Sequence, residues 1–74
     1  MDIFEQRLKE CRLEKGFSQV ELARIVQTTN DSVYSWEKGR SQPSIDMIRK
    51  LCVALCVSSD YLLGLEREDG TKEY

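Results

Sequence analysis

The sequence predicts an all-α fold of five short helices. Three observations lead there. Apolar residues recur three and four positions apart through most of the first 63 positions. Ser or Thr stands at four points where such a stretch begins, namely Ser18, Thr29, Ser44 and Ser58. No segment alternates apolar and polar residues at the period of two that a half-buried strand needs. No internal repeat or low-complexity tract interrupts the pattern.

The first helix runs from Asp2 to Lys15. Asp2 is its N-cap, and Glu5, three residues on, completes a capping-box pattern. Ile3 or Phe4, Leu8, Cys11 and Leu13 recur at helical spacing with charges between them. Gly16 ends the helix, and Phe17 folds back onto the core. Ser18 opens the second helix, again with Glu three positions later. Its Leu22, Ala23 and Val26 share a face, and it stops near Gln27. Thr29 caps a third helix from Asn30 to about Glu37, with Val33 and Trp36 pointing inward. Gly39 ends it in a left-handed conformation. Arg40 to Pro43 is a loop. Ser44 caps the fourth helix, with Ile45, Ile48, Leu51, Cys52 and Leu55 on its core face. Ser58 caps a very short fifth helix that Gly64 closes. Leu65 to Tyr74 is polar, charged and aperiodic. The reading is therefore a domain over 1–64 and a flexible acidic tail over 65–74.

Composition excludes several function classes. The chain has no His, which removes Ser-His, Cys-His and His-ligated metal chemistry. Its three Cys include no CxxC pair. Cys11, Cys52 and Cys56 would need a fourth ligand to hold a metal, so no metal site is expected. An odd number of thiols fits reduced cysteines in a cytoplasmic protein. The longest apolar run, Leu51 to Val57, is far short of the ~20 residues that span a bilayer. The charged N-terminus lacks the apolar core of a secretory signal. No catalytic constellation, cofactor motif or small-molecule site is evident, and an enzyme is not expected.

The second and third helices, joined by a tight turn, form a helix-turn-helix arrangement. In that arrangement a small residue on the first helix lets the two approach closely, and Ala23 suits it. An apolar residue in mid-second helix buries against the first, and Val33 suits it. The helical period then leaves Asn30, Asp31, Tyr34 and Ser35 on the exposed face, opposite Val33 and Trp36.

Four pieces of sequence carry a family resemblance. They are SQxxLA at Ser18 to Ala23, SWEKG at Ser35 to Gly39, Pro43-Ser44, and YLLG at Tyr61 to Gly64. In that order and spacing, over about Phe4 to Gly64, the chain resembles the Cro/phage-repressor helix-turn-helix family, also called the xenobiotic-response-element type. The resemblance implies a lambda-repressor-like fold and a sequence-specific transcriptional regulator of double-stranded DNA, expected to act as a repressor at a palindromic operator. Asn30, Asp31, Tyr34 and Ser35 match positions that read bases. Ser18, Gln19, Thr29, Lys38, Arg40 and Ser41 match positions that meet phosphate. Glu37 matches a glutamate that pairs with an arginine on the first helix, here Arg12.

Asn offers a bidentate contact to adenine and Asp an acceptor for cytosine. The reading face carries no Arg or Lys. Two positions depart from the family pattern: Gln27 stands in the turn where Gly is usual, and Cys56 where a helix-ending Gly is common. Met47, Val57, Tyr61 and Leu65 fall off the core faces and are candidates for a homodimer interface on DNA. A protein-interaction module, an antitoxin or an antagonist of a related regulator, is the competing reading, with no membrane partner in either case.

The formal net charge of -2 looks adverse to a polyanionic ligand. Counted by segment, Met1 to Leu63 holds 9 basic and 9 acidic residues, while Leu65 to Tyr74 holds 2 and 4. The deficit lies wholly in the tail, and binding depends on where charge sits. The loop's Lys38 and Arg40 have Glu37 as the only acid expected nearby, and Arg12 is expected to occupy it.

Overall fold

A computed structural model describes residues 3–74. Its helices are α1 (Ile3–Glu14), α2 (Gln19–Val26), α3 (Asn30–Lys38), α4 (Ile45–Leu55) and α5 (Ser59–Leu62). The N-cap expected at Asp2 lies outside the described residues. Beyond the helices, the described residues contain one isolated antiparallel bridge, between Glu66 and Lys72.

Local chemistry explains the boundaries. Ser18, Thr29, Ser44 and Ser58 each accept a hydrogen bond from the backbone N–H three residues on, and Ser18 and Glu21 close a full capping box. Such caps satisfy donors that the first helical turn leaves unpaired. Four helices end on a left-handed residue: α1 at Gly16, α2 at Gln27, α3 at Gly39 and α4 at Cys56. In each case the next N–H returns to a carbonyl five residues back, as Thr28 does to Ala23 at 2.8 Å. Gln27 and Cys56 thus keep the backbone shape that Gly gives elsewhere, at a steric cost of roughly 1–2 kcal/mol each.

One apolar core joins all five helices. Phe4, Leu8 and Cys11 of α1 meet Leu22, Ala23 and Val26 of α2, Val33 and Trp36 of α3, Leu51 and Leu55 of α4, and Leu62 of α5. α3 packs on α1 and α2, while α4 and α5 close the other side. Burial of each large side chain contributes ~1.5–3 kcal/mol.

Two core assignments need correction. Ile45 is 81% exposed. It is the first residue of α4, where the helix has only begun to meet the core, and Met47 and Ile48 are the first of its side chains to pack there. Leu13 is exposed because it lies five residues past Leu8, about 140° round the helix from it.

The segment after Gly64 also differs from the expected unpaired tail. Glu73 N–H donates to Leu65 O and Arg67 N–H to Thr71 O, both at 2.7 Å, which makes a tight reversal. Lys72 Nζ ties it down by reaching Asp60 and Glu66 at 3.0 and 2.9 Å, and Tyr74 hydroxyl donates to Asp60 at 2.6 Å. Beneath it lies Arg7, 4% exposed, which donates to the carbonyls of Tyr61 and Glu66 at 2.6 Å each. Its guanidinium stacks 4.0 Å from the Tyr61 ring centroid. A single turn has no periodicity, and its anchoring charges lie on α1 and α5, so nothing local in the sequence signals it.

Candidate nucleic-acid interface

The buried stripe of α3 fixes what its other side presents. Val33 and Trp36 are in the core, so Asn30, Asp31, Tyr34 and Lys38 face outward and are exposed, with Ser35 half-buried at the edge. Asn30 and Asp31 occupy the first turn, where Asp31 also suits the positive end of the helix dipole. Thr29 caps the helix, its Oγ1 2.9 Å from Ser32 Oγ and accepting from Ser32 N–H at 3.1 Å. Arg40 and Ser41 follow on the exposed loop.

The orientation of α3 is set by a buried ion pair. Arg12 Nε donates to Glu37 Oε2 at 2.6 Å and Arg12 Nη2 to Glu37 Oε1 at 3.1 Å. The two side chains are 8% and 3% exposed. Arg12 Nη1 also donates to Phe17 O at 2.8 Å, so one guanidinium joins α1, the α1–α2 turn and α3. Gln19 Nε2 adds a third donor to Glu37 Oε1 at 3.1 Å. The first residue of α2 is thereby tied to the last turn of α3. Ser18, at the same end of α2, is exposed and spends its hydroxyl on the cap.

Tyr34, 39% exposed, has cations on it. Lys38 Nζ lies 5.6 Å and Arg40 Cζ 5.5 Å from its ring centroid. One acid near this cluster escaped the sequence reading. A Cβ placed on Gly39 would collide with the carboxylate of Glu5, so Glu5 of α1 abuts the residue between Lys38 and Arg40. The expectation that Glu37 is the only acid near this loop is therefore corrected: 34 residues separate Glu5 from Gly39, and no motif links them. Arg7 was missed as well. Its position on the Phe4–Leu8–Cys11 face of α1 was the available signal.

The candidate dimer residues separate into two groups. Met47, Val57 and Tyr61 are half-buried and pack against the domain's own core, whereas Leu65 is exposed. Ile45, Val53 and Leu63 are the exposed apolar residues of α4 and the α5 end. Burial pushes the Cys11 and Cys52 thiols above their ordinary range, with Glu14 and Glu10 adding to the effect at Cys11. Both behave as small apolar groups. No helix among the described residues is long and apolar enough to cross a membrane.

Comparison with known proteins follows the same outline. A family profile described as helix-turn-helix matches residues 8–62. The SPbeta prophage-derived uncharacterized HTH-type transcriptional regulator YonR of Bacillus subtilis is 38% identical over 61 residues, covering 82% of this chain and 56% of YonR. The chain thus spans little more than half the length of that relative. Among solved structures, the P22 c2 repressor in complex with a synthetic operator superposes with a TM-score of 0.80 at 27% identity, covering 85% of this chain and 96% of that one. SinR, described as the master regulator for biofilm formation and solved in complex with DNA, gives 0.76 at 36% identity over 81% and 97%.

Proposed function

The chain belongs to the helix-turn-helix family of the Cro/phage-repressor type, and on that premise we propose that it is a transcriptional regulator that reads double-stranded DNA with α3 and represses by occupying its operator. One observation carries this reading most: the outward face of α3 presents Asn30, Asp31 and Ser35, with Tyr34 beside them, on a helix locked from behind by Trp36 and the Arg12–Glu37 pair. A rigid helix with short polar side chains suits base edges in a major groove about 12 Å wide. Lys38 at its C-terminal end and Arg40 and Ser41 beyond it, with Ser18, Gln19 and Thr29 near the N-terminal ends of α2 and α3, are the proposed phosphate contacts. The backbone N–H groups of α2's first turn suit a phosphate as well.

The domain acts as a homodimer on a palindromic site, in the cytoplasm and without a cofactor. Few cations serve each domain, so two copies are needed for tight binding. Leu65, together with exposed Ile45 and Leu63, supports a pairing surface better than the half-buried Met47, Val57 and Tyr61.

Selection of bound duplexes from random DNA, followed by salt titration on the enriched site, tests this. A two-fold site is expected, with affinity falling steeply as salt rises. Asn30→Ala should relax preference at one base position, while Arg40→Ala should weaken all sequences alike. No salt-dependent duplex binding at low ionic strength, combined with a stable complex with a partner protein, would overturn it.

A further inference from the structure

We infer that Tyr34 serves DNA binding as an aromatic platform that pre-orders Lys38 and Arg40 for the phosphate backbone, rather than as a reader of a base. The inference rests on the DNA-binding reading above and deepens it. Lys38 is four residues after Tyr34 on α3, the spacing that brings two helical side chains together. Arg40 comes by another route. Gly39 is left-handed, at φ 74°, and Arg40 N–H returns to Ser35 O at 2.9 Å, which turns the chain back along the helix. The two cations therefore reach one ring from two elements, at 5.6 and 5.5 Å from its centroid. Both distances lie within the ~6 Å reach of cation–π attraction.

Long, flexible cations are costly to immobilise on binding, on the order of threefold to tenfold in affinity for each side chain. A ring that already narrows their range removes part of that cost. It acts on whatever phosphate the cations meet, so it carries no sequence information. The alternative role for Tyr34, packing on a thymine methyl, predicts the reverse.

The test compares Tyr34→Leu and Tyr34→Phe on the selected operator and on a random duplex at low salt. Leu keeps helix propensity, and an unchanged melting temperature checks that the fold is intact. Tyr34→Leu should weaken both duplexes equally, by about tenfold, and Tyr34→Phe should bind as the parent does, because the ring is kept. In a Lys38→Ala/Arg40→Ala background, Tyr34→Leu should have no further effect. A loss confined to the operator, equal damage from Phe and Leu, or a full loss in the cation-free background would each overturn the platform. If the unaltered protein shows no salt-dependent duplex binding, the DNA-binding reading itself fails, and the platform inference falls with it.

Discussion

Replacing Glu37 by Ala should destabilise the domain by ~3–5 kcal/mol. The side chain is 3% exposed and accepts three hydrogen bonds, two from Arg12 and one from Gln19. Without it, the Arg12 guanidinium keeps Phe17 O as its remaining hydrogen-bond partner and stays in a site closed to water. A domain of 74 residues is stable by roughly 4–11 kcal/mol, so this single loss is a large fraction of the total. The same physics makes a second prediction about the pair. Desolvating two charges offsets most of their attraction, and replacing both by apolar groups of similar size is often neutral. Arg12→Met/Glu37→Leu should therefore lie within about 1 kcal/mol of the parent, although Glu37→Ala alone costs several times as much. Urea unfolding followed by the fluorescence of Trp36, the single Trp and a buried one, measures both. With a slope near 1 kcal/mol per molar urea, the Glu37→Ala midpoint should fall by about 3 M or more. A loss under about 1 kcal/mol for the single change, or a double variant as damaged as the two singles summed, would refute the argument.

Three other outcomes follow from the backbone and the C-terminal turn. Gln27→Gly relieves a left-handed residue at φ 63° and should raise stability by about 1 kcal/mol, seen as a melting temperature ~4–8 °C higher; an unchanged or lower value would count against strain there. Gly39→Ala should cost more than Gly16→Ala, because both have positive φ but the added Cβ meets Glu5 at Gly39 and open space at Gly16. Equal losses by thermal melting would remove Glu5 from that explanation. The Tyr74 hydroxyl and then Lys72 hold the Asp60 carboxyl below its ordinary range, and Lys72 and then Ser58 do so for Glu66. Both folded values are depressed, so the turn's stabilisation is present above the ordinary carboxylate pKa of ~4 and is lost as pH falls through the folded values. NMR titration of Tyr74 and Lys72 should show the turn open in acid, and Lys72→Met should move both carboxyl titrations back upward.

The features legible in the sequence are those whose physics is local. Ser18, Thr29, Ser44 and Ser58 announce helix starts because a cap needs only its own next three residues. Val33 and Trp36 announce the buried stripe of α3, and with it the outward set, because the period alone fixes both. The Arg12–Glu37 pair spans 25 residues, and family resemblance, not spacing, brought it into view. Glu5 against Gly39 and Arg7 beneath the last turn had no such aid, and a charged residue is a poor candidate for burial until its partners are placed. Ile45 fails in the opposite direction. It is apolar and at the right spacing, but it is the first residue of α4 and stands beyond the edge of the core.

Gln19 connects the stability of the fold to its proposed use. Its amide carries two N–H donors, and one is committed to Glu37 Oε1. The other remains for a phosphate at the N-terminal end of α2, so holding α3 and contacting DNA do not compete. Glu37 would then orient Gln19 as well as balance Arg12. The stability-neutral pair Arg12→Met/Glu37→Leu separates those roles, because it keeps the fold while releasing the Gln19 side chain. That variant should bind the operator and random DNA severalfold more weakly by the same factor, on the order of the cost of immobilising one flexible side chain. Gln19→Leu removes the contact itself and should cost at least as much, and adding Arg12→Met/Glu37→Leu to it should cost nothing further. Parental DNA affinity in the folded double variant would confine Glu37 to stability and leave Gln19 oriented by its helix alone.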